Sequence, residues 1–198
     1  MHIDLRTFPI YWINLDSEVE RRQRMVSFFE KNGIQNTQRI SGVENSYRGR
    51  GCALSHLNVL EQARDDMFLV LEDDCVPTED FQLQFDIGVH ADAYYMGLSG
   101  WAYDDRYSTP HLELNYQTFD DFGDSTHCRL FNMLSTHAVV YMSDEWRKAC
   151  IDTIISYYKN CDYHDKGYAK LQPRFRVYGQ RKPFFYQLEN DEYTRVCF

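Results

Sequence analysis

The stretch Phe68-Leu69-Val70-Leu71-Glu72-Asp73-Asp74-Cys75-Val76-Pro77 decides how the rest of the chain is interpreted. Its apolar run is too short for a buried helix, so it predicts a central strand of a mostly parallel α/β sheet. Three carboxylates follow at the end of this strand. Ligands of open α/β sheets bind outside the carboxyl ends of the strands. The acidic triplet therefore stands where a binding site is expected.

The acidic triplet also predicts a cation. Adjacent carboxylates repel one another and are costly to bury unless a cation neutralises them. Mg²⁺ and Mn²⁺ take oxygen ligands, commonly one or two carboxylates together with the phosphates of a substrate. A solvated turn is the alternative that the spacing leaves open.

Length and charge limit the class of protein. The chain has 198 residues, which predicts a single globular domain over residues 1–198. A net charge of −9 and a pI near 5.2 argue against binding to nucleic acid or to an anionic membrane surface. No apolar run is long enough to span a bilayer. We expect peripheral membrane contact at most.

The cysteines and the first residues bear on the compartment. The six cysteines show neither CxxC pairs nor the Cys/His spacing of a closed zinc site. Residues 1–6 lack the basic start and the apolar core of a signal peptide. We therefore expect a reduced, cytoplasmic protein.

The N-terminal part predicts the first half of a βαβ unit. An apolar strand over residues 8–15 is followed by a helix that Ser17 and Glu20 would open as a capping box and that Gly33 would end. This order brings Asn14 and Asp16 to the same sheet edge as the acidic triplet. The cluster Arg21-Arg22-Gln23-Arg24 favours a solvated helix face paired with Glu18 and Glu20.

A second helix is predicted over residues 52–64, directly before the acidic strand. Ser55 and His56 fall in its first turns, where free backbone N–H groups favour an anion such as a diphosphate. A hydrogen-bonded structural role is the alternative for His56. The preceding polar loop, residues 42–51, matches no phosphate-binding fingerprint, so a flexible connection is the expected role of its glycines.

The second half of the chain is less regular. We expect a short helix over residues 79–88, strands over 93–99 and 136–142, and a helix capped by Ser143. Residues 102–132 mix aromatic rings with carboxylates and lack periodicity, which favours a ligand-facing loop. Residues 161–167 are interpreted as a polar turn that carries Asp162, His164 and Asp165.

Taken together, four blocks resemble glycosyltransferase family 25, which includes lipooligosaccharide β-galactosyltransferases. They are residues 12–16 with Glu20, Arg21, Arg22 and Met25; residues 51–56; residues 69–74; and residues 135–141. A looser fifth block runs from Asp165 through Leu171 and Tyr178 to residues 183–187. The blocks span nearly the whole chain, and the second and third are the most specific.

The resemblance implies a GT-A fold, a Rossmann-like mixed sheet flanked by helices, and a UDP-sugar donor, most often UDP-galactose. It implies that Asp74 ligates Mn²⁺ or Mg²⁺ directly, and that Glu72 and Asp73 assist the metal or contact the donor. Further positions that match the donor side are Asn14, Asp16, Arg22, Ser55 and His56. The chain is short for this family, and its aromatic middle segment has no clear counterpart there.

These observations lead to the hypothesis of an inverting transfer of a hexose from a UDP-sugar to a hydroxyl of a glycan or glycoconjugate, as in lipopolysaccharide biosynthesis. Asp165 is the predicted general base, with Asp162 and His164 as local alternatives. A non-catalytic nucleotide-sugar or glycan-binding domain is the main rival. A metal-dependent phosphoesterase or nuclease ranks below it, because the chain has no basic groove for nucleic acid.

Overall fold

The computed structural model describes residues 1–101, 116–118, 126–159 and 163–188. The helices are α1 (Val19–Asn32), α2 (Arg48–Gln62), α3 (Asp144–Lys159) and α4 (His164–Leu171), and a 3-10 turn follows at Gln172–Arg174. The strands are β1 (His2–Asp4), β2 (Ile10–Asn14), β3 (Thr37–Ser41), β4 (Phe68–Glu72), β5 (Cys75–Pro77), β6 (Gln84–Asp86), β7 (Ala93–Tyr95), β8 (Tyr116–Thr118), β9 (His127–Leu130), β10 (Ala138–Tyr141), β11 (Val177–Gln180) and β12 (Phe185–Gln187).

In the described part of the chain, the main sheet has eight strands in the order β3-β2-β4-β10-β7-β11-β9-β8. The predicted mixed α/β architecture with flanking helices is confirmed. The sheet is not mostly parallel, however, because only the β2–β3, β2–β4 and β7–β11 pairings among the seven of these described strands are parallel. When one helix joins two strands, it carries the chain back to the edge of the sheet where the first strand began, so the two strands run parallel. Two successive helices, α3 and α4, join β10 to β11, and these two strands run in opposite directions.

Strand β4 is buried because both faces of the sheet are covered. Phe68 and Val70 pack in a core cluster with residues of α2, α3 and α4. Leu69 and Leu71 belong to a second cluster that includes Met25 of α1. This two-sided burial explains why the strand is a continuous apolar run with no polar alternation.

Strand β10 brings a second chain segment to the edge where β4 ends. It runs antiparallel to β4, with Ala138 opposite Leu71. The Glu72 backbone N–H donates to the carbonyl oxygen of His137 at 2.9 Å. The residues just before β10 therefore lie beside the acidic triplet.

The helix ends agree with the sequence in part. The prediction for Gly33 is confirmed, since it takes a left-handed conformation (φ 65°) at the end of α1. Ser143 also caps α3 as predicted, because its Oγ accepts the Trp146 backbone N–H at 3.2 Å. The capping box is wrong: α1 begins at Val19, and the Ser17 hydroxyl donates to Glu44 at 2.8 Å.

Other predicted elements differ from the structure. Helix α2 begins at Arg48 rather than at residue 52. Residues 79–88 form no helix; they contain β6, whose pairing with β1 overrides the local preference. Residues 164–167 of the predicted polar turn instead begin α4, in which Tyr168 and Leu171 are buried. Most of the predicted ligand-facing loop (102–115 and 119–125) lies outside the described residues, as does Asp162.

The ion pair between Asp92, directly before β7, and Arg176 allows a test of what one charged contact contributes to the stability of the fold. The Asp92 carboxylate accepts the backbone N–H, Nε and Nη2 of Arg176 at 2.9, 3.1 and 2.8 Å. These bonds hold the pKa of Asp92 below its ordinary range. We expect Asp92→Asn to lower the free energy of unfolding at pH 7 by about 1 kcal/mol, a modest cost because Arg176 is half exposed.

The pH dependence of this difference follows from linkage. A carboxyl whose pKa is lower in the folded than in the unfolded chain stabilises the fold above the ordinary pKa of about 3.8. This contribution disappears as the pH falls through the lowered value. Urea unfolding of wild type and Asp92→Asn, from neutral pH down through the lowered pKa, measures this stability difference. Asp152→Asn, on the exposed face of α3, is the control. A difference that persists in acid would contradict the assignment.

Candidate functional site

A cleft of about 1150 Å³ opens at the edge of the sheet where β2 and β4 end. Its floor contains Asn14 and the acidic triplet. One wall is formed by the start of α2 and the loop before it, and the other by residues 134–136 and the start of α4. The predicted site residues that line it are Asn14, Ser55, His56, Glu72, Asp73, Asp74 and Asp165.

Asp73 is held by hydrogen bonds from β2 and α1. Its carboxylate accepts Asn14 Nδ2 at 2.7 Å and Arg21 Nη1 at 3.2 Å. Its backbone carbonyl accepts Arg24 Nη2 at 3.0 Å. Asn14 in turn accepts Arg39 Nε at 2.9 Å. These bonds satisfy the charge of Asp73 within the protein and fix the turn that presents the other two acids.

Glu72 lies between two helices and the segment before β10. Its Oε1 accepts the Thr136 hydroxyl at 2.9 Å and lies 3.1 Å from His56 Nε2. Burial raises the pKa of Glu72 to about 7, and the charge of Asp73 adds to this effect. The deprotonated form of Glu72 is thus costly unless a positive charge stands beside it.

Asp74 has an unsatisfied oxygen. Gln187 Nε2 donates to its Oδ2 at 3.2 Å, whereas Oδ1 is buried and has no hydrogen-bond partner among the described residues. Burial and the neighbouring charges of Glu72 and Asp73 raise the pKa of Asp74 to about 7. An orphaned carboxylate oxygen next to a second carboxyl fits a hard divalent cation, which would satisfy both. The residues present therefore suit Mn²⁺ or Mg²⁺.

Asp165 lies on the opposite wall of the cleft, in the first turn of α4. Its Oδ2 accepts the Ser135 N–H at 3.3 Å, and its Oδ1 accepts the Lys166 N–H at 2.9 Å. Burial raises the pKa of Asp165 to about 6. A carboxylate with this pKa is largely ionised at neutral pH and can still accept a proton.

Three predicted donor-side residues are placed differently from the rest. The Ser55 hydroxyl donates to the Gly51 carbonyl at 2.7 Å and accepts the Val43 N–H at 2.8 Å, so it fastens a loop to α2. Asp16 is exposed and pairs with Arg39 at 2.5 Å. Neither Asp16 nor Arg22 belongs to the lining of the cleft.

Two residues at the cleft were given no role by the sequence, and His164 was named there only as an alternative general base. Thr136, His164 and Gln187 contact the acidic triplet or its neighbours, and they arrive from distant parts of the chain. The solvated-face interpretation of the arginine cluster is wrong for Arg21, which reaches Asp73 besides pairing with Glu18 at 3.6 Å. The chain order already indicated the contact of Arg21 with Asp73, because the helix that follows β2 passes the end of the neighbouring strand β4, where the acids lie.

The comparisons with known proteins place few limits on this chain. No family model matches it, and no curated protein matches it. Among solved structures, it is similar to a mutant of the Drosophila β-1,4-galactosyltransferase 7 in complex with manganese, UDP-Gal and xylobiose. The match has 9% identity and a TM-score of 0.40, and it covers 96% of this chain and 75% of that one. Such a distant likeness carries no argument about activity. Within the described residues, no helix has the length and apolarity to cross a membrane.

Proposed function

We propose that this protein is a metal-dependent inverting glycosyltransferase of the GT-A type, similar to family 25, that moves a hexose, most often galactose, from a UDP-sugar to a hydroxyl of a glycan. One observation carries the proposal: an orphaned carboxylate oxygen of Asp74 lies in a large cleft at the strand ends that Glu72 also lines. All five sequence blocks that resemble the family contribute residues to this cleft, namely Asn14, His56, Asp74, Thr136 and Asp165.

The donor diphosphate would occupy the cleft between the acidic residues and the start of α2. Glu72 and Asp74 would hold the cation, whose positive charge would stabilise the departing diphosphate when bound. Arg48, in the first turn of α2, and Lys166, at the start of α4, line the same cleft and favour an anion. The backbone N–H groups at the start of α2 add fixed positive potential.

The acceptor hydroxyl would lie on the side of Asp165. This carboxylate would accept the hydroxyl proton as the oxygen attacks the anomeric carbon from the face opposite the diphosphate. The N–H groups of Ser135 and Lys166 keep the Asp165 carboxylate in place for this role. The rings of Trp101 and Tyr163 also line the cleft and offer apolar faces to a sugar or base.

Calorimetry of UDP binding with and without Mn²⁺ tests the proposal. We expect binding that depends on the metal, followed by slow UDP release when UDP-galactose is supplied without an acceptor. Metal-dependent binding with no release, even with a panel of glycan acceptors, would support the non-catalytic recognition domain instead. No UDP binding under either condition would overturn the donor assignment.

A further inference from the structure

A second cluster of potential ligands lies in the wall of the cleft, beside the acidic triplet. Cys52 and His56 are one turn apart on α2, so both side chains lie on the same face of the helix. His164 begins α4 and meets His56 with ring centroids 4.6 Å apart. One ligand atom from each of the three residues lies within 4.8 Å of the other two. Among the described residues, no other set of three Cys, His or acidic side chains comes this close.

The two imidazoles have unsatisfied nitrogens. Each Nε2 has a neighbour: that of His56 lies 3.1 Å from Glu72 Oε1, and that of His164 lies 3.4 Å from the Thr136 hydroxyl. Both Nδ1 atoms are buried, and neither has a hydrogen-bond partner in the part of the chain that the structure describes. The two residues are only 1% and 2% exposed. A buried polar atom without a partner needs an explanation, and an absent metal ion is one.

The chemistry of this set differs from that of the acidic triplet. One thiolate and two imidazoles are ligands of Zn²⁺, whereas Mn²⁺ and Mg²⁺ prefer oxygen. Burial lowers the pKa of both histidines, which keeps them in the neutral form that binds metals. Glu72 would hold His56 in place by accepting its Nε2–H, the usual carboxylate partner of a metal-bound histidine.

The thiol needs a cation to ionise. Burial raises the pKa of Cys52 well above its ordinary value, and the charges of Glu72, Asp165 and Asp74 raise it further. A bound Zn²⁺ deprotonates a coordinating thiol and neutralises part of this negative charge. Zn²⁺ holds nitrogen at about 2.0–2.1 Å and sulfur at about 2.3 Å, so the three side chains would move closer together when the ion binds.

We propose that Cys52, His56 and His164 form a Zn²⁺ site that joins α2 to α4 and leaves one coordination position toward the cleft. Three protein ligands with an open fourth position are typical of reactive rather than purely structural zinc sites. The site is separate from the oxygen-ligand site at Asp74, and the Glu72–His56 contact lies between them. Zn²⁺ bound there would hold His164, and with it the neighbouring Asp165, against α2.

Titration of the reduced, chelator-treated full chain with Co²⁺ tests the site, since Co²⁺ reports its ligands by absorption. We expect one equivalent to give the intense visible bands of a tetrahedral ion together with a thiolate-to-cobalt charge-transfer band, both removed by Zn²⁺. Cys52→Ser should abolish the charge-transfer band and weaken Zn²⁺ binding at least about 100-fold, since even losing a residue that only orients a ligand costs 10–100-fold.

Two controls make the result specific. Cys128→Ala removes a buried thiol of β9 that is not part of the cleft lining, and it should keep the full spectrum. Asp74→Asn should keep it too, which separates this site from the proposed donor-metal site, and no step of the test uses UDP. If Cys52→Ser does not fold, His164→Ala should still lose the tetrahedral intensity. Absence of the charge-transfer band in the wild type, or its persistence in Cys52→Ser, would overturn the proposal.

Discussion

Replacing Asp74 with asparagine is expected to abolish the metal dependence of UDP binding and to lower turnover at least about 100-fold. The variant loses the charged oxygen that has no partner within residues 1–101, 116–118, 126–159 and 163–188 and that would ligate the cation. Metal ligation contributes several kcal/mol to a transition state of this kind, and each 1.4 kcal/mol corresponds to about tenfold in rate. Calorimetry with Mn²⁺ and UDP, and assays of UDP release, measure both effects.

The stability of the Asp74→Asn variant distinguishes a metal ligand from a structural residue. The raised pKa of Asp74 means that its ionised carboxyl is less stable in the folded than in the unfolded chain. Ionised Asp74 therefore destabilises the metal-free wild-type fold. The metal-free variant should therefore unfold at no lower urea concentration than wild type at pH 8. Asp66→Asn, an exposed site at the other end of β4, is the control and should retain Mn²⁺ binding. A variant that binds Mn²⁺ and turns over normally would remove Asp74 from the mechanism.

Replacing Asp165 with asparagine is expected to lower kcat by about 10²–10⁴-fold, the usual effect of losing a general base. Asparagine has nearly the same shape, and its single side-chain oxygen can still accept one of the two N–H bonds that Ser135 and Lys166 donate to Asp165. It cannot accept a proton from the acceptor hydroxyl. UDP and Mn²⁺ binding should be unchanged, so the loss should appear in kcat alone.

A matched variant tests whether the loss of kcat in Asp165→Asn comes from the missing general base or from a weakened helix N-terminus. Asp144 is an acid in the first turn of α3, as Asp165 is in α4, but it is largely exposed. Asp144→Asn removes the same favourable interaction with a helix N-terminus and should leave kcat unchanged. Wild-type kcat in Asp165→Asn would assign the base to another residue, and equal losses in both variants would point to a structural effect.

The sequence alone predicted the features that depend on local pattern. The apolar run before Glu72 is a buried strand, Gly33 ends α1, and Ser143 caps α3, because each depends on a few adjacent residues. The convergence of Asn14 with Glu72 also followed from chain order, since strands on either side of one helix share an edge of the sheet. The direction of β10 did not follow, because β10 comes after β9 and not after a helix that returns the chain to the starting edge of the sheet.

What the tertiary structure decided is the pairing of side chains at the cleft. In the sequence the three acids form one set, yet Asn14 and Arg21 bind Asp73 while one oxygen of Asp74 has no partner among the described residues. The sequence also shows no zinc spacing, because the third potential ligand, His164, lies far along the chain from Cys52 and His56. Periodicity and spacing report neighbours within one element. Contacts between distant segments depend on the packing of helices and strands, and these contacts set the charge, the burial and the ligands of the site.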